Sequence, residues 1–428
     1  MTVVGVVGGG YVGLTTAACL ASLGHDVTCA EVDPDRLSRL KSGEIPFHEA
    51  DLEGLVRVGL SSGNLRFVER AAGAAAGAEI VFLCVATPQH RDGSADISQL
   101  RTVLEEIRSV LAPGSVVVSK STIPIGAAEE LAEILARPDV ALASNPEFLR
   151  EGSAVRDFLV PDRIVVGGSD EEVARRVAAL YEAIDAPVLL TDLRSAQTIK
   201  YAANAMLAVR LSLVNGLAAL CDATGADIDT VLLGLGLDQR IGASYLRPGP
   251  GWGGSCLPKD TNALVSSSNS VGVSLPVVEA AIAANSLQIE HIADKVRRAV
   301  GGTLHGQTIA LWGLTFKAGT DDLRDSPALA VARLLREGGA TVRAYDPTVS
   351  VTRWDGGLEG IDVGDTPLGV LKESDCLVVL TEWPEFAAAD PSQAAAPMVR
   401  AVVVDARNVL DPVRWRAAGF DYVGLGRR

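Results

Sequence analysis

The sequence predicts an α/β protein with two doubly wound parallel sheets, joined by a central all-helical segment built on one long helix. Three observations predict it. Short apolar runs alternate with helical patterns from Thr2 to Asp192. A mostly apolar helical pattern then continues unbroken from Leu193 to Thr224. After Gly301-Gly302 the alternation of strand and helix resumes. Alternation of this kind builds parallel sheets covered by helices on both faces.

Thr2 to Val7 is a short apolar run that reads as a buried parallel strand. It leads into Gly8-Gly9-Gly10-Tyr11-Val12-Gly13, which fits G-x-G-x-x-G. A helical pattern follows to Leu23, with Gly24 as its stop. His25 to Ala30 is a second strand, ending at Glu31. A glycine turn between strand and helix, with an acid about 20 residues on, is the context of a dinucleotide site. The glycines let the backbone approach a pyrophosphate, and the helix N-terminus receives its charge. Glu31 is placed to accept hydrogen bonds from ribose hydroxyls and repels a 2′-phosphate, so NAD is expected over NADP. Arg36 is the nearby residue that could cover a phosphate instead. A plain αβ turn with incidental glycines is the other reading.

Further strands are expected at Ile80 to Val85, Ser115 to Ser119, Val140 to Ala143 and Arg163 to Gly167, with helices at Ile97 to Leu111 and Gly126 to Ala136. Pro187 to Asp192 is a last strand or an exit loop. The long helix and a second one, Pro276 to Val300, form the helical centre. Strands at Thr308 to Trp312, Thr341 to Tyr345, Cys376 to Leu380 and Ala401 to Val404, with a helix at Ser326 to Gly338, compose a second Rossmann-like sheet without a glycine fingerprint. The expected domains are 1–193, 194–300 and 301–428.

The chain has 428 residues, enough for two or three domains with substantial cores. Hydrophobic residues make up 48%, yet no run approaches the ~20 apolar residues of a membrane span. Arg210 and Asn215 interrupt the long helix, which therefore reads as packed interior. No secretory signal is expected, because the first apolar run is short and enters the glycine turn directly. The six cysteines are scattered, without C-x-x-C or His pairing, which argues against a metal site and a disulfide framework. A cytoplasmic protein with reduced thiols is expected. A net charge of −15 without a basic cluster disfavours nucleic acid, and an anionic substrate would need local positive groups.

The most distinctive stretch is Gly249-Pro250-Gly251-Trp252-Gly253-Gly254-Ser255-Cys256-Leu257-Pro258-Lys259-Asp260. If Cys256 opens a helix, the free N–H groups and the helix dipole favour its thiolate. Lys259 adds a positive charge, and Asp260 falls on the same helix face as the sulfur. A nucleophile with a carboxylate in reach suits covalent catalysis. Taken alone, the stretch also reads as a turn before a helix with a buried cysteine.

Motifs along almost the whole chain carry a resemblance. They are Gly8 to Gly13, Thr87-Pro88, Lys120 to Pro124, Asn145 to Gly152, Pro161 to Ile164, Ile199 to Asn204, Arg240 to Gly242, the Cys256 block, Phe316-Lys317 with Thr320 to Arg324, Tyr345 to Pro347, Thr381 to Trp383 and Asp405 to Arg407. In order and spacing the chain resembles the nucleotide-sugar 6-dehydrogenases. The resemblance implies oxidation of a primary alcohol to a carboxylate in two hydride transfers to NAD. An aldehyde cannot yield a second hydride until a nucleophile adds to it, which is why such an enzyme needs a cysteine beside a nicotinamide.

What the resemblance implies for residues is specific. Cys256 is the nucleophile. Lys200 and Asn204, four apart on the long helix, stabilise the developing oxyanion. Asp260 and Thr122 position a water that acts as base, and Glu147 activates the water that hydrolyses the thioester. Gly8, Gly10, Tyr11, Val12, Gly13, Glu31, Arg36, Thr87, Thr122, Glu151, Lys259 and Arg324 belong to the NAD side. Phe148, Leu149, Tyr245, Arg247, Trp252, Gly253, Phe316, Lys317 and Arg407 belong to the nucleotide sugar, with Lys200 and Asn204. Arg240 joins them, acting across a subunit boundary. The resemblance implies a homodimer or higher homo-oligomer with an interface built on the long helix; an intrachain helical bundle is the alternative.

Ser255 fits the glucose and mannose branches, and Thr381 to Phe386 resembles the UDP-glucose branch, so UDP-glucose going to UDP-glucuronate is favoured. GDP-mannose and dTDP-glucose are the alternatives. The departures are Gln197 and Gly216 where glutamates are common, Glu31 for aspartate, and Asn262 for an arginine. Two other classes share parts of the pattern. A one-step β-hydroxyacid-type dehydrogenase would not need Cys256 or the second sheet. A non-catalytic nucleotide-sugar sensor should have lost Cys256, Lys200 or Asp260.

Overall fold

The computed structural model describes residues 1–350 and 357–427. The chain packs as two units, Met1–Ala203 with Asn262–Ser274, and Asn204–Thr261 with Leu275–Arg428. Each unit holds one sheet, and the long helix Leu193–Thr224 runs from the first unit into the second.

The first sheet has eight strands: β1 (Val3–Val7), β2 (Asp26–Ala30), β3 (Leu65–Val68), β4 (Ile80–Leu83), β5 (Val116–Ser119), β6 (Ala141–Ser144), β7 (Ile164–Gly168) and β8 (Val188–Asp192). Their spatial order is β3-β2-β1-β4-β5-β6-β7-β8. β1 to β6 are parallel, but β7 pairs antiparallel with β6, and β8 follows β7 in parallel. The expectation of a wholly parallel sheet therefore holds only to β6. The connection from 145 to 163 re-enters the sheet at the end where β6 stops, without crossing over. Val4, Val6, Phe82, Val116 and Val118 on one face and Val81, Leu83 and Val117 on the other are buried. Burial on both faces explains the continuous apolar runs of these strands.

The second sheet has six parallel strands: β9 (Thr308–Trp312), β10 (Thr341–Tyr345), β11 (Ile361–Val363), β12 (Cys376–Val379), β13 (Val402–Asp405) and β14 (Asp421–Val423). Their order is β11-β10-β9-β12-β13-β14. In each sheet the order reverses beside the first strand, β1 or β9. Ligands of doubly wound sheets bind at this switch point, outside the carboxyl ends of the strands. The segments leaving β1 and β9 are Gly8–Gly13 and Gly313–Lys317.

The long helix has the predicted span, but its environment differs from the packed interior expected. Met206, Leu213 and Leu220 recur at seven-residue spacing and are exposed, as are Leu233, Leu237, Val277 and Leu287 in the other central helices. The helix is also long and apolar enough to span a membrane by composition, with 39% of its most apolar window buried. Its polar residues are engaged within the fold instead. Arg210 donates to the carbonyls of Ile241 and Gly242, and Asn215 accepts from the Gly249 N–H.

Candidate active site

In the first unit the glycine turn leaves β1 with Gly8 at φ 104°. A Cβ on Gly13 would lie 1.8 Å from the Gly8 carbonyl oxygen, so the turn and its helix meet as only glycine allows. A Cβ on Gly9 would lie 2.8 Å from Glu31 Oε2, placing the acid against the turn. Glu31 is buried, and its Oε1 accepts from the Asp33 N–H at 2.9 Å. Arg36 is exposed on the helix Pro34–Lys41. This cradle fits a dinucleotide: bare backbone faces where a pyrophosphate lies, the helix Tyr11–Ser22 starts there, and a carboxylate stands at the end of β2.

Tyr11 does not simply face that turn. Its hydroxyl bonds to Glu49, a buried acid that the sequence reading did not single out. Glu49 also accepts from the Gly152 N–H at 2.6 Å and the Ala154 N–H at 2.7 Å. One carboxylate thus ties the start of the first helix to the segment carrying Glu151. Burial, reinforced by Glu49, pushes the Tyr11 phenol far above its ordinary range. Thr87 donates to the Thr122 carbonyl at 2.9 Å, joining the loops after β4 and β5.

Glu147 and Lys200 form a buried ion pair at 2.7 Å, with side chains 6% and 5% exposed. Burial alone would push the Glu147 carboxyl up. The Lys200 ammonium and the hydrogen bonds from Lys200 and the Leu149 N–H instead hold it below its ordinary value. Phe148 lies between two cations, with the Arg163 guanidinium 3.6 Å and the Lys200 ammonium 5.6 Å from its ring centre. Lys120 is a second buried amine behind this group. It donates to Asn145 Oδ1 at 2.9 Å and faces the rings of Phe82, Phe158 and Tyr181 at 5.7–5.9 Å. Burial lowers its pKa to about 8.

In the second unit Cys256 caps the helix Leu257–Ser270, its carbonyl accepting from the Asp260 N–H at 2.9 Å. Its sulfur is 3.6 Å from Ser255 Oγ and only partly buried. Asp260 is fully buried; one oxygen accepts from Asn204 Nδ2 at 2.6 Å and the other pairs with Lys259. Gly254, at φ 81°, sits under the Phe316 ring, where a Cβ would come within 2.8 Å. Gly253 is closer still to backbone: its Cβ would fall 2.0 Å from the Asp325 carbonyl oxygen. Arg407 donates to the carbonyls of Leu380 at 2.9 Å and Phe316 at 2.8 Å, pairs with Glu382 at 3.1 Å, and lies against Gly249. Lys317 lies 5.6 Å from the Phe316 ring centre.

The structure thus brings Glu147, Phe148, Leu149 and Lys200 together in the first unit. In the second it gathers Asn204, Gly253, Cys256, Lys259, Asp260, Phe316 and Arg407. Others are placed differently. Arg240 is exposed and chelates Asp238, and Arg324 chelates Asp322 at 2.7–3.0 Å. Tyr245 is exposed at φ 57°, and Arg247 is exposed. Trp252, expected to pack on the nucleotide sugar, is 6% exposed, and its indole N–H is committed to Ser212 Oγ at 2.9 Å. Its ring therefore anchors the loop. Gln197 accepts from the Gly126 N–H at 2.9 Å, while its Nε2 is buried without a partner. Asn262 donates to Gln89 at 3.3 Å.

A dinucleotide cradle at one switch point, and a thiol at the head of a helix in the unit that carries a second doubly wound sheet, mark an NAD-dependent dehydrogenase. Residues 2–185 match the NAD binding domain of the UDP-glucose/GDP-mannose dehydrogenase family, residues 194–287 its central domain, and residues 310–412 its UDP binding domain. The chain is 41% identical over 432 residues to a UDP-glucose 6-dehydrogenase of Rhizobium meliloti, covering 99% of both chains. It is 41% identical over 438 residues to one of Pseudomonas aeruginosa, covering 99% of this chain and 97% of that one. A UDP-glucose dehydrogenase structure from Pyrobaculum islandicum superposes with a TM-score of 0.91 at 35% identity, covering 100% of this chain and 98% of that one. The chain belongs to the UDP-glucose/GDP-mannose dehydrogenase family and is an NAD-dependent oxidoreductase.

Proposed function

We propose that this enzyme oxidises UDP-glucose to UDP-glucuronate through a thioester on Cys256. The observation that carries the reading is Cys256 at the head of the helix Leu257–Ser270, in one unit with the buried Asn204–Asp260 pair. NAD, when bound, accepts the hydrides. Asp260 and Thr122 hold the water that takes the alcohol proton as the first hydride leaves C6. The Cys256 thiolate then adds to the aldehyde carbon, and the oxygen of the thiohemiacetal is held by Lys200 and Asn204. Loss of the second hydride, to a second NAD, leaves the thioester. Glu147, kept ionised by Lys200, takes a proton from the water that attacks the carbonyl. The C–S bond breaks, and thiolate and carboxylate are released. Phe316, Lys317 and Arg407, at the carboxyl end of the second sheet, bind the nucleotide.

Relatives with UDP-glucose in their names favour this sugar, and the UDP binding domain supports a uridine nucleotide. The exposed Met206, Leu213 and Leu220 support a homodimer, because a stripe of this size is normally covered. The cytosol, where thiols stay reduced, is the compartment this mechanism requires.

The test is the NADH formed per sugar consumed, with UDP-glucose, GDP-mannose and dTDP-glucose, for the wild type and Cys256→Ala. Two NADH with UDP-glucose, lost in the variant, is the expected result. One NADH, or an unimpaired variant, overturns the thioester mechanism. Two NADH with a different nucleotide sugar overturns only the substrate. Light scattering of the purified protein tests the dimer.

A further inference from the structure

The segment Tyr245–Cys256 forms neither helix nor strand, yet Gly249, Trp252, Gly253 and Gly254 are buried. Buried backbone outside secondary structure must find its hydrogen bonds elsewhere. Here three side chains supply them. The Gly249 N–H donates to Asn215 Oδ1 at 2.9 Å, and the Gly249 carbonyl accepts from Gln288 Nε2 at 2.7 Å. The Trp252 N–H donates to Asn285 Oδ1 at 2.8 Å, and the Trp252 carbonyl accepts from Asn285 Nδ2 at 2.8 Å. Ser212 takes the indole N–H and donates to the Ala281 carbonyl at 2.9 Å.

The spacing has a simple origin. Ser212 and Asn215 are three apart on Leu193–Thr224, and Asn285 and Gln288 three apart on Pro276–Ala299, so each pair shares a helix face. Asn285 offers one acceptor and one donor to the same residue, as a neighbouring strand would. Gly251, at φ 131°, completes the fit, since a Cβ there would come within 2.9 Å of Asn285 Oδ1.

Resting on the reading of Cys256 as the nucleophile, we propose that Asn285 and Gln288 are positioning residues that set where its sulfur meets the aldehyde. Cys256 lies four positions after Trp252, and the chain between them is hemmed in by Asp325 and Phe316, so a shift at Trp252 is carried to the sulfur. Misplacement by about 1 Å costs on the order of 10²-fold in rate. The first hydride transfer does not involve the sulfur, whereas every later step does. Loosening the clamp should therefore slow the second oxidation more than the first, and free aldehyde should escape.

The experiment compares wild type, Asn285→Ala, Asn285→Asp and Gln288→Ala. It measures NADH per UDP-glucose consumed, aldehyde trapped with hydroxylamine, and the rate of iodoacetamide labelling at Cys256 by peptide mass spectrometry. Wild type should give two NADH per sugar and no trapped aldehyde. Asn285→Ala should fall towards one NADH, with abundant trapped aldehyde and an altered labelling rate. Asn285→Asp keeps the acceptor for the Trp252 N–H and loses the donor, so it should lie between. Gln288→Ala, which touches a different residue of the loop, gives an independent reading if Asn285→Ala fails to fold. Folded variants that keep two NADH per sugar, with both oxidations slowed equally, overturn the proposal. A wild type that yields one NADH sinks the Cys256 reading itself, a result distinct from failure of the clamp.

Discussion

The Lys200 ammonium donates to Glu147 Oε1 at 2.7 Å with both side chains almost wholly buried. Removing one partner leaves the other as an uncompensated buried charge. Lys200→Met should cost about 3–5 kcal/mol in urea unfolding. The pH dependence has a definite sign. Glu147 is held below its ordinary pKa in the fold, so its contribution is complete above the unfolded value of 4.5 and is lost as pH falls through the lower folded value. The melting temperature of wild type should fall towards that of Lys200→Met as the pH drops below 4.5, and parallel curves would refute the pair as its source.

Glu147→Gln keeps the shape of that side chain and removes its basicity. If Glu147 serves the hydrolysis, the variant should release a burst of two NADH per site and then turn over about 10²–10⁴-fold more slowly. Stopped-flow absorbance at the NADH band reads both phases. A slow variant without a burst would place the defect before the thioester.

Lys120 gives a slope in the opposite pH range. Its pKa is about 8 in the fold against 10.5 unfolded, because burial disfavours its charge. Between those values the unfolded chain binds more protons than the folded one, so this residue makes stability rise with pH. The stability of wild type relative to Lys120→Met should grow from pH 8 to pH 10, measured by chemical unfolding in matched buffers. A difference independent of pH would mean that the buried amine keeps its ordinary pKa and its charge in the fold.

Two glycines should be intolerant for different reasons. Gly13→Ala places a methyl 1.8 Å from the Gly8 carbonyl oxygen and should raise the NAD dissociation constant about tenfold or more by titration calorimetry. Gly254→Ala adds a left-handed backbone penalty to a clash with the Phe316 ring, and should depress kcat with a smaller effect on NAD binding.

Glu49→Leu should leave the Ala154 N–H unpaired, costing about 1–3 kcal/mol, and the Gly152 N–H with the Tyr11 hydroxyl in place of the carboxylate. Weaker NAD binding should accompany the lost stability, because Tyr11 and Glu151 share that carboxylate's neighbourhood.

What could be read from the sequence was what short range encodes. The glycine turn, Glu31, the long helix and the cysteine at a helix head all lie within local patterns, and the structure has each of them. Glu49 escaped notice because its partners are 38, 103 and 105 residues away, and nothing in His48-Glu49-Ala50 announces them. Asn285 and Gln288 were hidden likewise, since an amide on an amphipathic helix reads as a solvated face. The antiparallel turn into β7 depends on how a loop returns, which no periodicity records. The resemblance assigns Trp252 to the nucleotide sugar, and no local pattern shows that Ser212 of a distant helix holds its indole N–H.

The dependence of Gly249 and Trp252 on Asn215, Asn285 and Gln288 means that the loop's shape is stored outside the loop. Grafting Gly249–Asp260 onto another protein would transfer the letters of the motif without its conformation. Conversely, a substitution at Asn285, silent to any motif search, should behave in a genetic screen as an allele of the cysteine it never touches.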